Sequence, residues 1–149
     1  MRYLRSAIIA VIATVALLAP SSAVAQIKSL SVGSTGVLSS PEGDSVTVKL
    51  AFKCRAGWNV AFGSASVAQS TGTKLARGFG DFFNDFPGVP CTGARETQRI
   101  VVTTETSFAF KPGKATATGD LTVFNPSTQQ LATDSAGPTE VKLTKKHGK

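Results

Sequence analysis

Hydrophobic and polar residues alternate along short segments of this chain, and residues typical of turns separate the segments. The clearest alternation runs from Ser45 to Cys54, where every second side chain is hydrophobic. A period of two places Val46 and Leu50 on one face of a strand and leaves Lys49 on the other face. Comparable patterns predict strands over residues 26–32, 45–54, 58–69, 74–77, 97–110, 115–124, 129–135 and 139–144.

One segment breaks its own alternation. Trp58, Val60 and Phe62 share a face, but Val67 is out of phase with them. Gly63 lies at the change of phase, and glycine inside a strand pattern is typical of a bulge. We therefore predict a β-bulge at Gly63.

The strand pattern indicates the fold class. Turn residues recur about every 8–12 positions, which is typical of an all-β sandwich or barrel. We find no amphipathic helix of any length and no internal repeat. We predict an all-β fold, namely an immunoglobulin-like antiparallel β-sandwich of about seven strands with one disulfide.

The first 25 residues have the layout of a secretory signal peptide. Arg2 and Arg5 precede an apolar run over residues 7–19, and Ala23 and Ala25 occupy the small-residue positions of a cleavage site. The run is too short for a membrane span. We expect cleavage after Ala25, a secreted (extracellular) product, a β-sandwich domain over residues 26–144 and a basic disordered tail over residues 145–149.

The chain contains two cysteines, Cys54 and Cys91. In an exported protein an even number of cysteines indicates a disulfide. Trp58 follows Cys54 more closely than the buried tryptophan of antibody domains follows its cysteine, so we expect the bridge to join strand ends at one edge of the sandwich. Two free thiols are the alternative, and two cysteines with one histidine do not complete a structural zinc site.

The charge is mildly basic once the signal peptide is removed. Two of the 16 Lys and Arg residues lie in the signal, so 14 remain against nine acidic residues, a net charge of +5. Four lysines fall in the last eight positions: Lys142, Lys145, Lys146 and Lys149. The others are thinly spread, which argues against a nucleic-acid partner. The tail is either a solvated end or a weak contact to anionic cell-wall polymers.

The segment GFGDFFNDFPGVPC, residues 78–91, combines aromatic residues with residues typical of turns. Its glycines and prolines predict an irregular loop over residues 78–90. The loop is our candidate binding loop, and its four aromatic residues are Phe79, Phe82, Phe83 and Phe86.

The four rings are expected to divide between packing and recognition. Phe79 and Phe86 lie nearest the anchored ends and are expected to pack inward. Phe82 and Phe83 are adjacent, so they cannot both point inward in an extended segment, and at least one should be exposed. The alternatives are a loop that only packs, and a calcium site built from Asp81, Asn84 and Asp85, whose spacing does not match an EF-hand.

The residues favour a non-enzymatic role. The single histidine, His147, lies near the C-terminus, where an imidazole is poorly held for a catalytic triad. The chain lacks a phosphate-binding loop and a dinucleotide fingerprint. We expect no cofactor and no metal. Two carboxylates from different strands could still form a glycosidase pair, which is the enzymatic alternative.

Short motifs within the chain resemble those of a known group. The segments CRAGW, VAQSTGTKLARGFG, CTGARETQRIVV and FAFKPGKATATGDL are similar to small secreted actinobacterial proteins with a single immunoglobulin-like domain of unknown function. The resemblance covers residues 54–121, and its motif positions are Cys54, Gly57, Gln69, Cys91, Thr92, Gly93, Gln98, Phe110, Gly113 and Ala115. It implies an exported bacterial protein with this fold, and it implies no activity.

The sequence therefore predicts a secreted, non-enzymatic binding or interaction module. Its partner would be a protein, a glycan or an apolar ligand. The alternative is an extracellular carrier of a small ligand, or an enzyme inhibitor, that uses the loop at residues 78–90.

Overall fold

The structure is a computed structural model that describes residues 25–145. These residues form strands and turns, and no helix is found among them. The strands are β1 Ile27–Val32, β2 Thr35–Leu38, β3 Ser45–Cys54, β4 Asn59–Thr71, β5 Lys74–Phe83, β6 Val89–Pro90, β7 Arg95–Thr104, β8 Gly113–Asn125 and β9 Gln130–Lys145.

The core consists of the inward residues of these strands. On β3 the predicted alternation is confirmed, because Val46, Val48 and Leu50 are fully buried while Lys49 and Lys53 are exposed. The inward side chains of β4, β7, β8 and β9 complete one hydrophobic cluster, whose most deeply buried members include Val67, Ile100, Val102, Ala117, Leu121, Val123, Val141 and Leu143.

The strands form a sheet that closes on itself. Its order is β1-β3-β2-β9-β8-β4-β5-β7, and β7 returns to pair with β3. Seven strands therefore make a closed circuit, with β1 attached outside it along the second half of β3. All pairings are antiparallel except that of β2 with β9. The all-β prediction is confirmed, but the strands do not separate into the two distinct sheets that a sandwich would have.

Two of the seams in the barrel are short. β2 meets β3 only where Val37 lies opposite Thr47 and Leu38 lies opposite Val46. β5 meets β7 only at residues 78–79. By contrast, β3 and β7 pair along nearly their whole lengths, as do β4 with β5 and β8 with β9.

Several predicted strands differ from those observed. The bulge lies between Val60 and Phe62, not at Gly63, so Phe62 faces outward. The segment predicted as the longest strand ends at Thr104, and β9 is longer because the segments 129–135 and 139–144 form one irregular strand. β2 was not predicted, because four residues give too short an alternation to recognise.

The predicted disulfide is present between Cys54 and Cys91, with an S–S distance of 2.05 Å. Cys54 is the last residue of β3, and Cys91 directly follows β6. The bridge therefore joins strand ends, as the position of Trp58 had suggested.

Two predicted segments lie outside the described residues. These are the signal peptide, except for its last residue, and the tail beyond Lys145, which itself ends β9. Among residues 25–145 we find no helix of the length and hydrophobicity needed to span a membrane.

Candidate functional site

The first half of the Phe-rich segment is a strand and not a loop. β5 continues to Phe83, so the prediction of an irregular segment is wrong for residues 78–83. Its glycines have a different purpose, because β5 crosses β7 at this point. A Cβ atom on Gly80 would lie 2.0 Å from the carbonyl oxygen of Val101, and one on Gly78 would lie 2.4 Å from that of Thr103. Only glycine permits such a close approach of two backbones.

Phe82 and Phe83 point to opposite sides of β5. Phe82 packs inward against the core, directly opposite Gly63 on β4. Phe83 points outward and is 75% exposed. The prediction that at least one of this pair is exposed is confirmed, and the alternation of an extended strand is the reason.

The prediction that Phe79 and Phe86 pack inward is wrong. Phe79 lies on the same outward face of β5 as Phe83 and is 41% exposed. Phe86 lies in the turn after β5 and is 85% exposed. Burial therefore does not follow from closeness to an anchored end. Phe79 is exposed because of its position in the alternation of β5, and Phe86 is exposed because of the geometry of the turn.

Outward-facing rings, two exposed and two half-buried, lie together at one end of the outward face of β5, β4, β8 and β9. Phe83 lies opposite Phe62, with ring centroids 4.6 Å apart. Phe86 contacts Phe124 of β8, with centroids 5.6 Å apart. Leu131 of β9 lies opposite Phe124 and is largely exposed. We call Phe62, Phe83, Phe86, Phe124 and Leu131 the aromatic patch.

The aromatic patch lies at the disulfide-bonded end of the barrel. β4 begins there, as Cys91 donates its backbone N–H to the carbonyl of Trp58, one residue before the strand. β5 and β8 end there, at Phe83 and Asn125. The aromatic patch is therefore close to Cys91.

Hydrogen bonds fix the turn that carries Phe86. The buried Asn59 donates its side-chain N–H to the carbonyl of Pro87 at 2.9 Å, and Asn84 donates to the carbonyl of Val60 at 2.9 Å. The N–H of Gly88 is bonded to the carbonyl of Asp85 at 2.7 Å. The turn thus holds Phe86 in place on a rigid support.

These bonds also bear on the calcium alternative. Asn84 uses its amide to hold the turn, and Asp81 points outward from β5 beside Ser64. Within residues 25–145 no group of three or more His, Cys, Asp or Glu side chains is placed to hold a metal ion.

A cluster of polar side chains lies beside the aromatic patch on the same face. Ser64 of β4 lies between Asp81 of β5 and Asp120 of β8. Asp120 accepts hydrogen bonds from Ser64 at 3.3 Å and from Ser135 at 2.5 Å. The face therefore combines exposed aromatic rings with carboxylates, which suits a partner with apolar and basic side chains.

A cleft of about 570 Å³ opens at the other end of the barrel. It lies between the turn after β2 and the segment before β8, and its lining includes Leu38, Glu42, Phe110, Lys111, Pro112 and Lys145. None of the four Phe residues of the segment 78–90 lines this cleft.

Three residues of the aromatic patch were missed from the sequence. Phe62 was placed inward because the bulge was expected two residues too late. Phe124 is out of phase with the inward Leu121 and Val123, so alternation alone could have identified it as outward. Leu131 joins the patch only through the pairing of β9 with β8.

Comparison with known proteins gives no match to this chain, either among protein-family models, among curated proteins or among solved structures.

Proposed function

We propose that this protein is a secreted, non-enzymatic binding module that recognises an extracellular protein through its aromatic patch. The exposure of Phe83 and Phe86 at one end of the same face is the observation that carries the proposal. Burying a Phe side chain removes roughly 1.5–3 kcal/mol of unfavourable hydration. Two exposed rings, each in tilted contact with a second ring, therefore offer a large gain to a partner that covers them.

The shape and composition of the surface favour a protein over a small ligand. The patch spreads across four strands of a sheet and is bordered by Ser64, Asp81 and Asp120. An apolar centre with a polar border is the usual anatomy of a protein interface, and aromatic residues dominate its binding energy. The 570 Å³ cleft is lined by none of the four Phe residues, so it adds no support to a carrier that uses the Phe-rich segment.

The non-enzymatic part of the proposal rests on the environment of two carboxylates, one beside the aromatic patch and one in the cleft. Asp120 is engaged by two serine hydroxyls, and the 570 Å³ cleft has Glu42 as its one lining carboxylate. Secretion is supported by the N-terminal pattern and by the disulfide, since such bridges persist in oxidising compartments.

We also propose that the barrel is a flattened immunoglobulin-like sandwich. The support is the unequal length of the strand pairings around the barrel, two of which involve only two residues on each strand. One layer would be β1, β3 and β7, and the other would be β2, β9, β8, β4 and β5. They meet only through the short β2–β3 and β5–β7 pairings. An experimental structure in which those two pairings are absent would support the sandwich.

The test of function is loss of binding on truncation of the patch. The bait is the chain from Gln26 onward, used to capture proteins from culture supernatant and cell-wall extract. Captured proteins are identified, purified and titrated against a variant with Phe83→Ala and Phe86→Ala. Loss of either ring should weaken binding by about thirtyfold, and loss of both should weaken it by up to about a thousandfold, since central aromatic residues each contribute about 2 kcal/mol or more.

The matched control is Phe108→Ala, which removes another exposed ring, one that lies beside Lys74 at the cleft end. It should bind as the parent does. Equal affinity of the parent and the double variant for every captured partner would refute the proposal. If instead a small apolar ligand or a glycan binds, and its binding is lost with the same two rings, the protein partner is wrong and that ligand class takes its place.

A further inference from the structure

A second face, away from the aromatic patch, carries a cluster of positive charges. On the outward side of β3 and β7, Lys49 lies directly opposite Arg99, and Lys53 lies directly opposite Arg95. All four side chains are exposed. We call these four residues the basic face.

No acidic side chain shares this face. Glu96 is the only acid in β1, β3 and β7, and it is on the other side of β7. Its carboxylate accepts hydrogen bonds from the backbone N–H of Thr92 at 3.0 Å and from the Thr92 hydroxyl at 2.8 Å. Within β1, β3 and β7, the basic face therefore has no acidic side chain to balance its charge.

This arrangement opposes folding stability. Like charges directly opposite each other on a sheet are destabilising. Elsewhere in the described chain, Lys114 and Lys142 are also opposite each other, but Lys114 forms an ion pair with Glu140 at 3.2 Å. The basic face forms no ion pair of this kind among residues 25–145, and a local cost in stability is often kept where a protein needs it for function.

We propose that the basic face binds a linear polyanion outside the cell. The two cationic pairs are four residues apart along β3, or about 13 Å for an extended strand. Only the small side chains of Ala51 and Thr97 lie between them. A flexible anionic chain can therefore lie flat across the sheet and contact both pairs.

The geometry of Arg95 agrees with a ligand that lies across the strands. Its guanidinium reaches over β3 toward β1, where an N–H points to the hydroxyl of Ser31 at 3.5 Å. That side chain is thus turned toward the middle of the face. A guanidinium presented in this way can contact an anionic group with two parallel hydrogen bonds.

The surface fits a polymer better than a lipid bilayer. The one large apolar side chain on the outward side of β3 and β7 is Val101, and no aromatic residue lies there. Peripheral membrane contacts usually add aromatic or aliphatic side chains to the charges. The rings of the aromatic patch lie on β4, β5, β8 and the turn after β5, away from β3 and β7, so polymer and protein partner could be held together.

The test measures binding of the chain from Gln26 onward to long-chain polyphosphate at several salt concentrations. Four contacts predict about a hundredfold loss of affinity between about 50 and about 200 mM salt, by analogy with nucleic-acid backbones. The variant Lys53→Gln with Arg95→Gln should bind more weakly and should lose only about tenfold over the same range.

Two control variants remove equal charge elsewhere. Lys114→Gln with Lys142→Gln alters the cations of β8 and β9, and Lys146→Gln with Lys149→Gln alters the C-terminal tail. Both should retain the steep salt dependence. If the tail variant loses binding and the face variant keeps it, the proposal is overturned. Binding to vesicles of anionic phospholipid but not to polyphosphate would also overturn it.

A further variant separates binding from folding. Lys53→Glu creates an opposite-charge pair with Arg95 and should raise the unfolding midpoint while it weakens polyphosphate binding. A protein that is more stable and still binds as the parent does would contradict a ligand role for this face.

Discussion

Replacing Gly63 by alanine should test the orientation of Phe82 and Phe83 in β5. A Cβ atom at Gly63 would lie 2.4 Å from Cε1 and 2.6 Å from Cζ of the Phe82 ring. The backbone of Gly63 is not in the left-handed region, so alanine is otherwise compatible with the strand. The substitution therefore introduces one specific collision, between the new methyl group and the ring that covers the core.

The magnitude follows from the burial of Phe82. A fully buried Phe→Ala change costs about 3–5 kcal/mol, and Phe82 is only partly buried, so its packing contributes about 2 kcal/mol. The ring can relieve the collision by rotating into solvent, at the cost of its packing. The packing contribution of Phe82 is therefore the largest loss of stability that Gly63→Ala can cause. Alanine recovers about 0.5 kcal/mol through the lower entropy of its unfolded chain. The net loss should be about 1–1.5 kcal/mol.

Denaturant unfolding followed by tryptophan fluorescence provides the assay, because Trp58 is the single tryptophan and is buried. In a Phe82→Ala background the Gly63→Ala change should be neutral or stabilising, which gives a coupling of about 1–2 kcal/mol. In a Phe83→Ala background the cost of Gly63→Ala should be unchanged within about 0.5 kcal/mol. Coupling of Gly63 to Phe83 instead would refute the assignment of the inward ring.

Two further predictions concern the bridge and the mature end. Replacing both Cys54 and Cys91 by alanine should lower the free energy of unfolding by about 4 kcal/mol, because the bridge closes a loop of 37 residues in the unfolded chain. An unchanged unfolding midpoint under reducing conditions would contradict this. Mass spectrometry of the exported protein should find Gln26 at the N-terminus; a product that retains the apolar run would contradict cleavage after Ala25.

Much of the local structure could be predicted from the sequence. The alternation of Val46, Val48 and Leu50 identified β3 and its buried face, because side chains of an extended strand alternate sides whatever the strand pairs with. The same rule required Phe82 and Phe83 to separate. The disulfide followed from two cysteines in a chain with an export pattern.

Only the tertiary structure determined which residues from distant parts of the sequence contact one another. Gly78 and Gly80 look like loop residues in the sequence, but they are needed where β5 crosses β7. Gln69 ends a predicted strand, yet its buried amide holds the segment before β8 through hydrogen bonds with Lys111 and Lys114. Both requirements come from chain segments that are distant in sequence.

The two candidate surfaces show the same division. Alternation already placed Lys49 and Lys53 on one side of β3, but their alignment with Arg99 and Arg95 depends on the register between β3 and β7. The aromatic patch likewise needs the pairing of β4 with both β5 and β8. Alternation along a strand is set by the local backbone and can be read from the sequence. Register between strands is set by the packing of the whole core, so charges that look scattered along the chain become neighbours only in the folded protein.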